Sequence, residues 1–196
     1  MPVGVSRRIV LVRFIRVVLR MFTVLVLVAN LTAVAAPGLT EYQLKATFVF
    51  NFVKFTDWPA SAFTNATAPI VIGVVGENPF NRTLDELVKG EAVNGHALVV
   101  KCFNNGEGFS GCHVLFISRS EKDHLPTLLA ALKNKPVLTV SDLDRFCEQG
   151  GMINLVLSTS GTVHPEINPT AARIAGVQIS SRLLNLPTVR LVETVH

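Results

Sequence analysis

The sequence predicts an α/β protein built as a three-layer sandwich, in which helices flank a mostly parallel central sheet with a late antiparallel hairpin. Three observations support this fold class. Short runs rich in valine and isoleucine alternate with segments whose apolar residues recur at helical spacing. Two late aliphatic runs are joined by a short polar turn, as in a hairpin. The sequence shows no internal repeat, low-complexity linker or second domain.

The first helix is predicted to begin at Glu41, because Thr40 and Gln43 have the spacing of a capping box. Trp58-Pro59 is expected to end it. The apolar face of this helix contains one cation, Lys45, whose side chain must either extend to solvent or meet a carboxylate. Of these two outcomes, extension to solvent is the prediction.

The predicted strands are aliphatic runs bounded by turn-forming residues. The first is apolar throughout and stops at Gly76, as expected of a strand that is buried on both faces. The turn Asn94-Gly95 precedes the second strand, and the segment 158–161 joins the fifth and sixth as an antiparallel hairpin. The seven strands span residues 69–75, 97–103, 113–118, 137–140, 153–157, 163–167 and 177–180.

Further helices are predicted between these strands. Apolar residues recur at helical spacing over 80–88 and 125–132, and Ser120 can cap the second of these segments. Ser141 is predicted to cap a shorter helix. Asn168-Pro169 is typical of a helix start, with an amide cap followed by proline at the first helical position.

The chain opens with a segment typical of secreted proteins. Five arginines and no acidic residue lie within residues 1–20, and an apolar run follows over residues 21–31. Ala33-Val34-Ala35 fits the signal peptidase pattern, so residues 1–35 are predicted to be a signal peptide and 36–196 a single domain in the periplasm. The alternative is a retained anchor, although a spanning helix needs roughly 20 apolar residues.

Removing the predicted leader changes the charge of the chain. The 18 basic residues lose five arginines, which leaves 13 against 14 acidic residues, so the formal net charge falls from +4 to −1. The basic character therefore belongs to the leader, and nucleic-acid binding is not predicted.

The predicted mature domain contains three cysteines, Cys102, Cys112 and Cys147. Cys102 and Cys112 are expected to lie at facing ends of neighbouring strands that are joined by a glycine-rich loop. In an oxidising compartment this pair is the predicted disulfide, with Cys147 left over. Its reduction is a hypothetical redox trigger. The alternative is that all three cysteines are buried as small hydrophobic residues.

A series of short motifs runs through most of the predicted mature chain. They are LKATF at 44–48, NFVKF at 51–55, WP at 58–59, IGVVG at 72–76, NPF at 78–80, CHVLFIS at 112–118, LTVSD at 138–142, GGMINL at 150–155, EIN at 166–168 and SSRLL at 180–184. In this order and number they resemble the YfiR family of periplasmic proteins. The resemblance implies a non-enzymatic protein that binds the periplasmic sensor domain of an inner-membrane diguanylate cyclase. It further implies repression of cyclic di-GMP synthesis and of biofilm formation.

The carboxyl ends of the predicted strands are polar, and ligands of open α/β sheets bind beyond these ends. A second polar group surrounds the last strands and helices. The candidate residues for binding a ligand or partner are Glu77, Asn78, Ser118, Arg119, Ser141, Asp142, Gly150, Gly151, Glu166, Asn168, Arg173 and Arg182. Each has a structural alternative: the serines as helix caps, the glycines as turn residues, and Glu166 with Arg173 as a surface ion pair.

Motifs of common catalytic sites are absent from the sequence. The segment 108–111 lacks the spacing of a nucleophile elbow, no phosphate-binding glycine loop occurs, and the five histidines lack the spacing of a zinc protease. No catalytic residue, metal or cofactor is therefore predicted. The hypothesis is a periplasmic module that binds a membrane cyclase. A periplasmic solute-binding protein and a hydrolase are the alternatives, and a homodimer is left open.

Overall fold

A computed structural model describes residues 38–104 and 108–194, so the predicted signal peptide over 1–35 lies outside the described residues. The helices are α1 Glu41–Lys54, α2 Thr83–Val88, α3 Leu125–Leu132, α4 Pro169–Ile174 and α5 Ser181–Leu184. Two 3₁₀ helices span Ala60–Ala62 and Arg119–His124. The strands are β1 Thr56–Asp57, β2 Ile70–Val75, β3 Ala92–Val93, β4 His96–Phe103, β5 Val114–Ile117, β6 Leu138–Ser141, β7 Ile153–Leu157, β8 Val163–Ile167, β9 Gln178–Ile179 and β10 Arg190–Leu191.

Helix α1 begins as the capping box predicts. The Thr40 hydroxyl accepts a hydrogen bond from the Gln43 backbone at 3.3 Å, and the Gln43 side chain accepts one from the Thr40 backbone at 2.8 Å. Asn168 likewise caps α4 by accepting from the backbone of Ala171 at 2.9 Å. These caps satisfy backbone donors that a helix start otherwise leaves without partners.

The central sheet has the strand order β10-β8-β7-β6-β5-β2-β4-β3. Strands β2, β4, β5, β6 and β7 pair in parallel, and β7 and β8 form the antiparallel hairpin that the sequence predicts. A second antiparallel pair, β3 with β4, turns at Asn94-Gly95, where both residues have positive φ. The predicted mostly parallel sheet with a late hairpin is confirmed.

Two apolar clusters cover the two faces of this sheet. Alternate residues of β2 and β5, such as Val74 and Phe116, pack with helices α1, α2, α4 and α5. Their neighbours Val75 and Ile117 pack with α3 and with Phe146. Because strand side chains alternate between faces, this division produces the predicted three layers.

The structure corrects two predictions about helix starts. Ser141 is the last residue of β6, and turns rather than a helix follow it, although its hydroxyl does accept from the Leu143 backbone at 3.2 Å. Ser120 does not cap α3, because its hydroxyl accepts from the Glu77 backbone at 2.9 Å and the preceding turn is a 3₁₀ helix. In both cases the serine hydroxyl accepts from a backbone N–H that lies outside any helix.

The end of the chain is arranged differently from the prediction. Strand β9 is not part of the central sheet. It pairs antiparallel with β1, next to the end of α1. A strand that the sequence did not predict, β10, forms the edge of the central sheet by pairing in parallel with β8. At two residues, β10 is too short for its alternation to be recognised.

The predicted disulfide between Cys102 and Cys112 does not form in this structure, in which all three cysteines are free thiols. Strands β4 and β5 are not neighbours, because β2 lies between them. Cys102 is paired with Val74 and shares its face of the sheet, whereas Cys112 packs with α3 on the opposite face. Two thiols on opposite faces with a strand between them cannot reach bonding distance.

We expect the native protein to present one reactive thiol. Cys102 is exposed, whereas burial raises the pKa values of Cys112 and Cys147 to about 12, so these two carry little thiolate. Titration with a thiol reagent should detect one thiol in the native protein, three in denaturant, and none in native Cys102→Ser. If the native protein has no reactive thiol and the denatured, unreduced protein has one, a disulfide is present instead.

Candidate functional site

The carboxyl ends of β5 and β6 carry a charged cluster that is centred on Asp142. One carboxylate oxygen of Asp142, Oδ2, accepts hydrogen bonds from Lys45 Nζ at 2.6 Å and from the Tyr42 hydroxyl at 3.1 Å. The same oxygen forms an ion pair with Arg119, whose Nε lies 3.1 Å away. Glu41 completes the cluster by pairing with Lys45 and, at 3.7 Å, with Arg119. We call these five residues the Asp142 cluster.

Lys45 corrects the prediction that its side chain extends to solvent. The side chain is fully buried, and its ammonium group lies between the carboxylates of Glu41 and Asp142. A buried ammonium is tolerated only where an opposite charge and hydrogen bonds replace water. The lysine therefore ties the first turns of α1 to the end of β6.

The surroundings of Tyr42 in the cluster shift the pKa of its hydroxyl. Its pKa is raised to about 12, chiefly by burial and next by the negative charge of Asp142. The Tyr42 hydroxyl is therefore a stable donor to Asp142. The other oxygen of Asp142, Oδ1, is buried and has no hydrogen-bond partner among the described residues.

A groove of about 480 Å³ opens beside the cluster. Arg119 connects the two, because its guanidinium contacts Asp142 while more than half of its side chain is exposed. The polar residues that line the groove are Arg119, Lys122, Asp123, Asp142, Asp144 and Gln149. Two candidates from the sequence, Arg119 and Asp142, thus meet at the carboxyl edge of the sheet, as expected for an open α/β fold.

Four other candidates from this edge stabilise the local backbone. The Glu77 backbone donates to Ser120, and Asn78 accepts from the Phe80 backbone at 3.0 Å. Ser118 is buried and its backbone donates to Val75, while the Ser141 hydroxyl donates to the Ile117 carbonyl at 2.7 Å. These contacts hold the strand ends and so position Arg119 and Asp142.

The two glycine candidates have structural roles, one in backbone conformation and one in packing. Gly150 has a φ of 99°, which favours glycine. At Gly151 a Cβ atom would overlap the ring of the buried Phe146. Gly150 therefore permits the turn, and Gly151 lets the chain pass close to Phe146 before β7.

The candidates near the end of the chain form a separate group. Glu166 forms an ion pair with Arg190 of β10 and accepts a hydrogen bond from the Asn154 side chain at 3.3 Å. The predicted ion pair between Glu166 and Arg173 is therefore wrong. Asn168 donates to the Cys147 carbonyl at 3.1 Å besides capping α4. Arg173 and Arg182 are exposed, and neither makes an ion pair within the described parts of the chain.

Three members of the Asp142 cluster, Glu41, Tyr42 and Lys45, were missed as site residues. The available signal was the lysine on an apolar helix face with a glutamate one turn before it, since positions i and i+4 lie side by side on a helix. The sequence could not show that Asp142, 97 residues away, comes to the same place.

The described residues show neither a membrane-spanning helix nor a metal cluster. No helix within 38–104 and 108–194 has the length and hydropathy to cross a bilayer. Over the same ranges no three histidine, cysteine, aspartate or glutamate side chains are grouped as metal ligands.

A family model described as YfiR/HmsC-like matches residues 42–188, about three quarters of the chain. The chain belongs to this family. The match includes four members of the Asp142 cluster and leaves out Glu41. A search of curated proteins finds no match for the chain. The YfiR/HmsC-like family is regulatory and non-catalytic, in agreement with the resemblance noted in the sequence.

Proposed function

We propose that this YfiR/HmsC-like protein is a periplasmic regulator. In this proposal it binds the periplasmic sensor domain of an inner-membrane diguanylate cyclase and represses cyclic di-GMP synthesis. The observation that carries the proposal is the family match over residues 42–188. The arginine-led leader over residues 1–35 supports export.

We further propose that the partner docks on the groove beside the Asp142 cluster. Arg119 is the central contact in this proposal, because its guanidinium is held by the buried carboxylate of Asp142 while more than half of the side chain remains exposed. A preorganised arginine loses less conformational entropy on binding than a free one. Its natural counterpart on a partner is a carboxylate.

Substitution of Arg119 tests this docking surface. We expect Arg119→Gln to weaken capture of the cyclase by about tenfold or more, as for a central charged contact, and to raise cyclic di-GMP in cells. Because more than half of the side chain is exposed, the free energy of unfolding should fall by less than about 1 kcal/mol. The readouts are co-purification from membranes, cyclic di-GMP content and denaturant unfolding.

Arg82→Gln is the matched control, since it removes the same charge from a side chain that is 91% exposed and does not line the groove. If both variants bind the cyclase as the wild type does, the groove is not the docking surface. If deletion of the protein leaves cyclic di-GMP unchanged and no cyclase co-purifies, the regulatory role itself is wrong.

Export has its own test. We expect the protein in the periplasmic fraction, with an N-terminus at Ala36 by mass spectrometry. Full-length protein among cytosolic enzymes would contradict the proposal, whereas full-length protein in the membrane fraction would indicate the retained anchor.

A second candidate function is periplasmic solute binding. The groove supports it, because its volume of about 480 Å³ and its polar lining suit a small polar metabolite. In that case a metabolite should raise the melting temperature, and membrane capture should fail unless solute is added. Capture of the cyclase without added solute favours the regulatory function.

A further inference from the structure

The segment that connects β1 to β2, residues 58–69, lies against the amino ends of β4 and β5, the two neighbours of β2. We call this segment the strap. It contains no ionisable side chain, and most of its residues are exposed. Its backbone hydrogen bonds, such as the one from Ala62 N–H to the Pro59 carbonyl at 2.9 Å, close turns within the strap. Side-chain contacts must therefore attach it to the sheet.

Two histidines make these contacts. The ring of Phe63 stacks on His96, at the start of β4, with centroids 4.1 Å apart, and contacts His113, directly before β5, at 4.5 Å. His96 Nδ1 lies 2.6 Å from the carbonyl of Ala68, which only accepts, so this nitrogen carries a proton. The indole N–H of Trp58 donates to the His113 carbonyl at 3.0 Å, and its ring meets the His113 ring edge to face at 5.9 Å.

His113 fits this arrangement only as a neutral ring. Its Nδ1 accepts a hydrogen bond from the Val71 backbone N–H at 3.1 Å, so the proton of the ring lies on Nε2. The residue is 2% exposed, and Nε2 is buried without a hydrogen-bond partner among the described residues. A second proton would bind at Nδ1 and face the N–H of Val71. Protonation therefore breaks this hydrogen bond and places an unpaired charge in the interior.

The surroundings offer the charged ring little compensation. The strap, β2 and β6 contain no ionisable side chain, and the neighbouring Cys112 is a neutral thiol with a pKa of about 12. Strand β1 contributes the exposed Asp57, helix α1 the exposed Lys54, and β4 contributes His96. Burial first, and the charge of His96 next, lower the pKa of His113 from its ordinary value, although two backbone carbonyls partly oppose the shift.

We propose that His113 makes the strap acid-sensitive: the strap is attached while this histidine is neutral and is released when the ring binds a proton. In the released state the ring reaches water, where the pKa of a histidine is about 6.5. The attached state has the lower pKa, so acid favours release. Attachment is complete above about pH 7 and weakens as the pH falls below about 6.5. Release uncovers the rings of Trp58 and Phe63, and this device is independent of the proposed function.

Hydrogen exchange of single amides, followed by NMR on the purified protein, tests the proposal. After correction for the pH dependence of intrinsic exchange, the amides of Ala62, Phe63 and Val71 should open at least about fivefold more often at pH 5 than at pH 7. The amide of the fully buried Phe116 in β5 should keep its protection, which distinguishes release of the strap from unfolding. The His113 ring should titrate over the pH interval in which the strap opens.

His113→Asn removes the titration but can keep an acceptor for the Val71 N–H, because its side-chain oxygen can take the place of Nδ1. Strap exchange in this variant should not rise on acidification. His164→Asn, at a half-buried histidine of β8, is the matched control and should respond as the wild type does.

The proposal is overturned if the strap amides of the wild type open no more often at pH 5, or if Phe116 loses its protection together with them. An equal rise in His113→Asn also overturns it. If this variant does not fold, the wild-type ring decides, because a His113 titration outside the interval of strap opening contradicts the proposal.

Discussion

Asp142→Asn is expected to lower the free energy of unfolding by about 3 kcal/mol. The substitution keeps the size of the side chain but removes the charge that faces the fully buried ammonium of Lys45 at 2.6 Å. Removing one partner of a buried ion pair typically costs about 3–5 kcal/mol, because the remaining charge is left without compensation. The lower value applies here, since Glu41 still contacts Lys45. Denaturant unfolding at neutral pH measures the loss.

Two further variants show whether the loss comes from the buried pair. Lys45→Met combined with Asp142→Asn should recover at least half of the lost stability, because neither charge then remains buried. Arg119→Gln, which removes a mostly exposed partner of the same carboxylate, should cost less than about 1 kcal/mol. A loss below about 1 kcal/mol for Asp142→Asn itself would mean that Lys45 is not buried against Asp142.

Gly151→Ala is expected to destabilise the protein by about 2–3 kcal/mol. The added methyl group would overlap the Phe146 ring, which is fully buried and packs with residues of α3. Overpacking of a dense core costs about 1–3 kcal/mol because side chains and backbone must shift. The melting temperature and denaturant midpoint report this change.

Gly108→Ala is the matched control. A Cβ atom at Gly108 meets no other atom within 4 Å, and the residue does not have a positive φ. The same added methyl should therefore change stability by no more than about 1 kcal/mol. Equal losses in the two variants would show that the glycine at position 151 is not required for packing on Phe146.

Much of the fold could be predicted because its signals are local. The capping box at Thr40, the amide cap at Asn168 and the turn at Asn94-Gly95 each depend on residues within one or two turns of chain. The aliphatic strands are recognised in the same way, from a few neighbouring residues. Strand β10 was missed because two residues carry too little pattern.

The candidate site was predicted only in outline. That Arg119 and Asp142 meet follows from a general property of parallel sheets, whose carboxyl ends share one edge. That Lys45 joins them does not follow, because its partner is 97 residues distant and a lysine stem can equally extend to solvent. Glu166 shows the same limit, since its partner is Arg190 on an unpredicted strand rather than the nearby Arg173.

The sequence by itself determined the leader-like composition of the first 35 residues, the caps of α1 and α4, the buried strands and the resemblance to a regulatory family. Only the tertiary structure decided that β2 lies between β4 and β5, which separates Cys102 from Cys112 and leaves both as thiols. Strand order and the burial of Lys45 depend on the packing of the whole chain. Both features are stabilised by contacts between residues that are distant in sequence, and local propensities carry no information about such contacts.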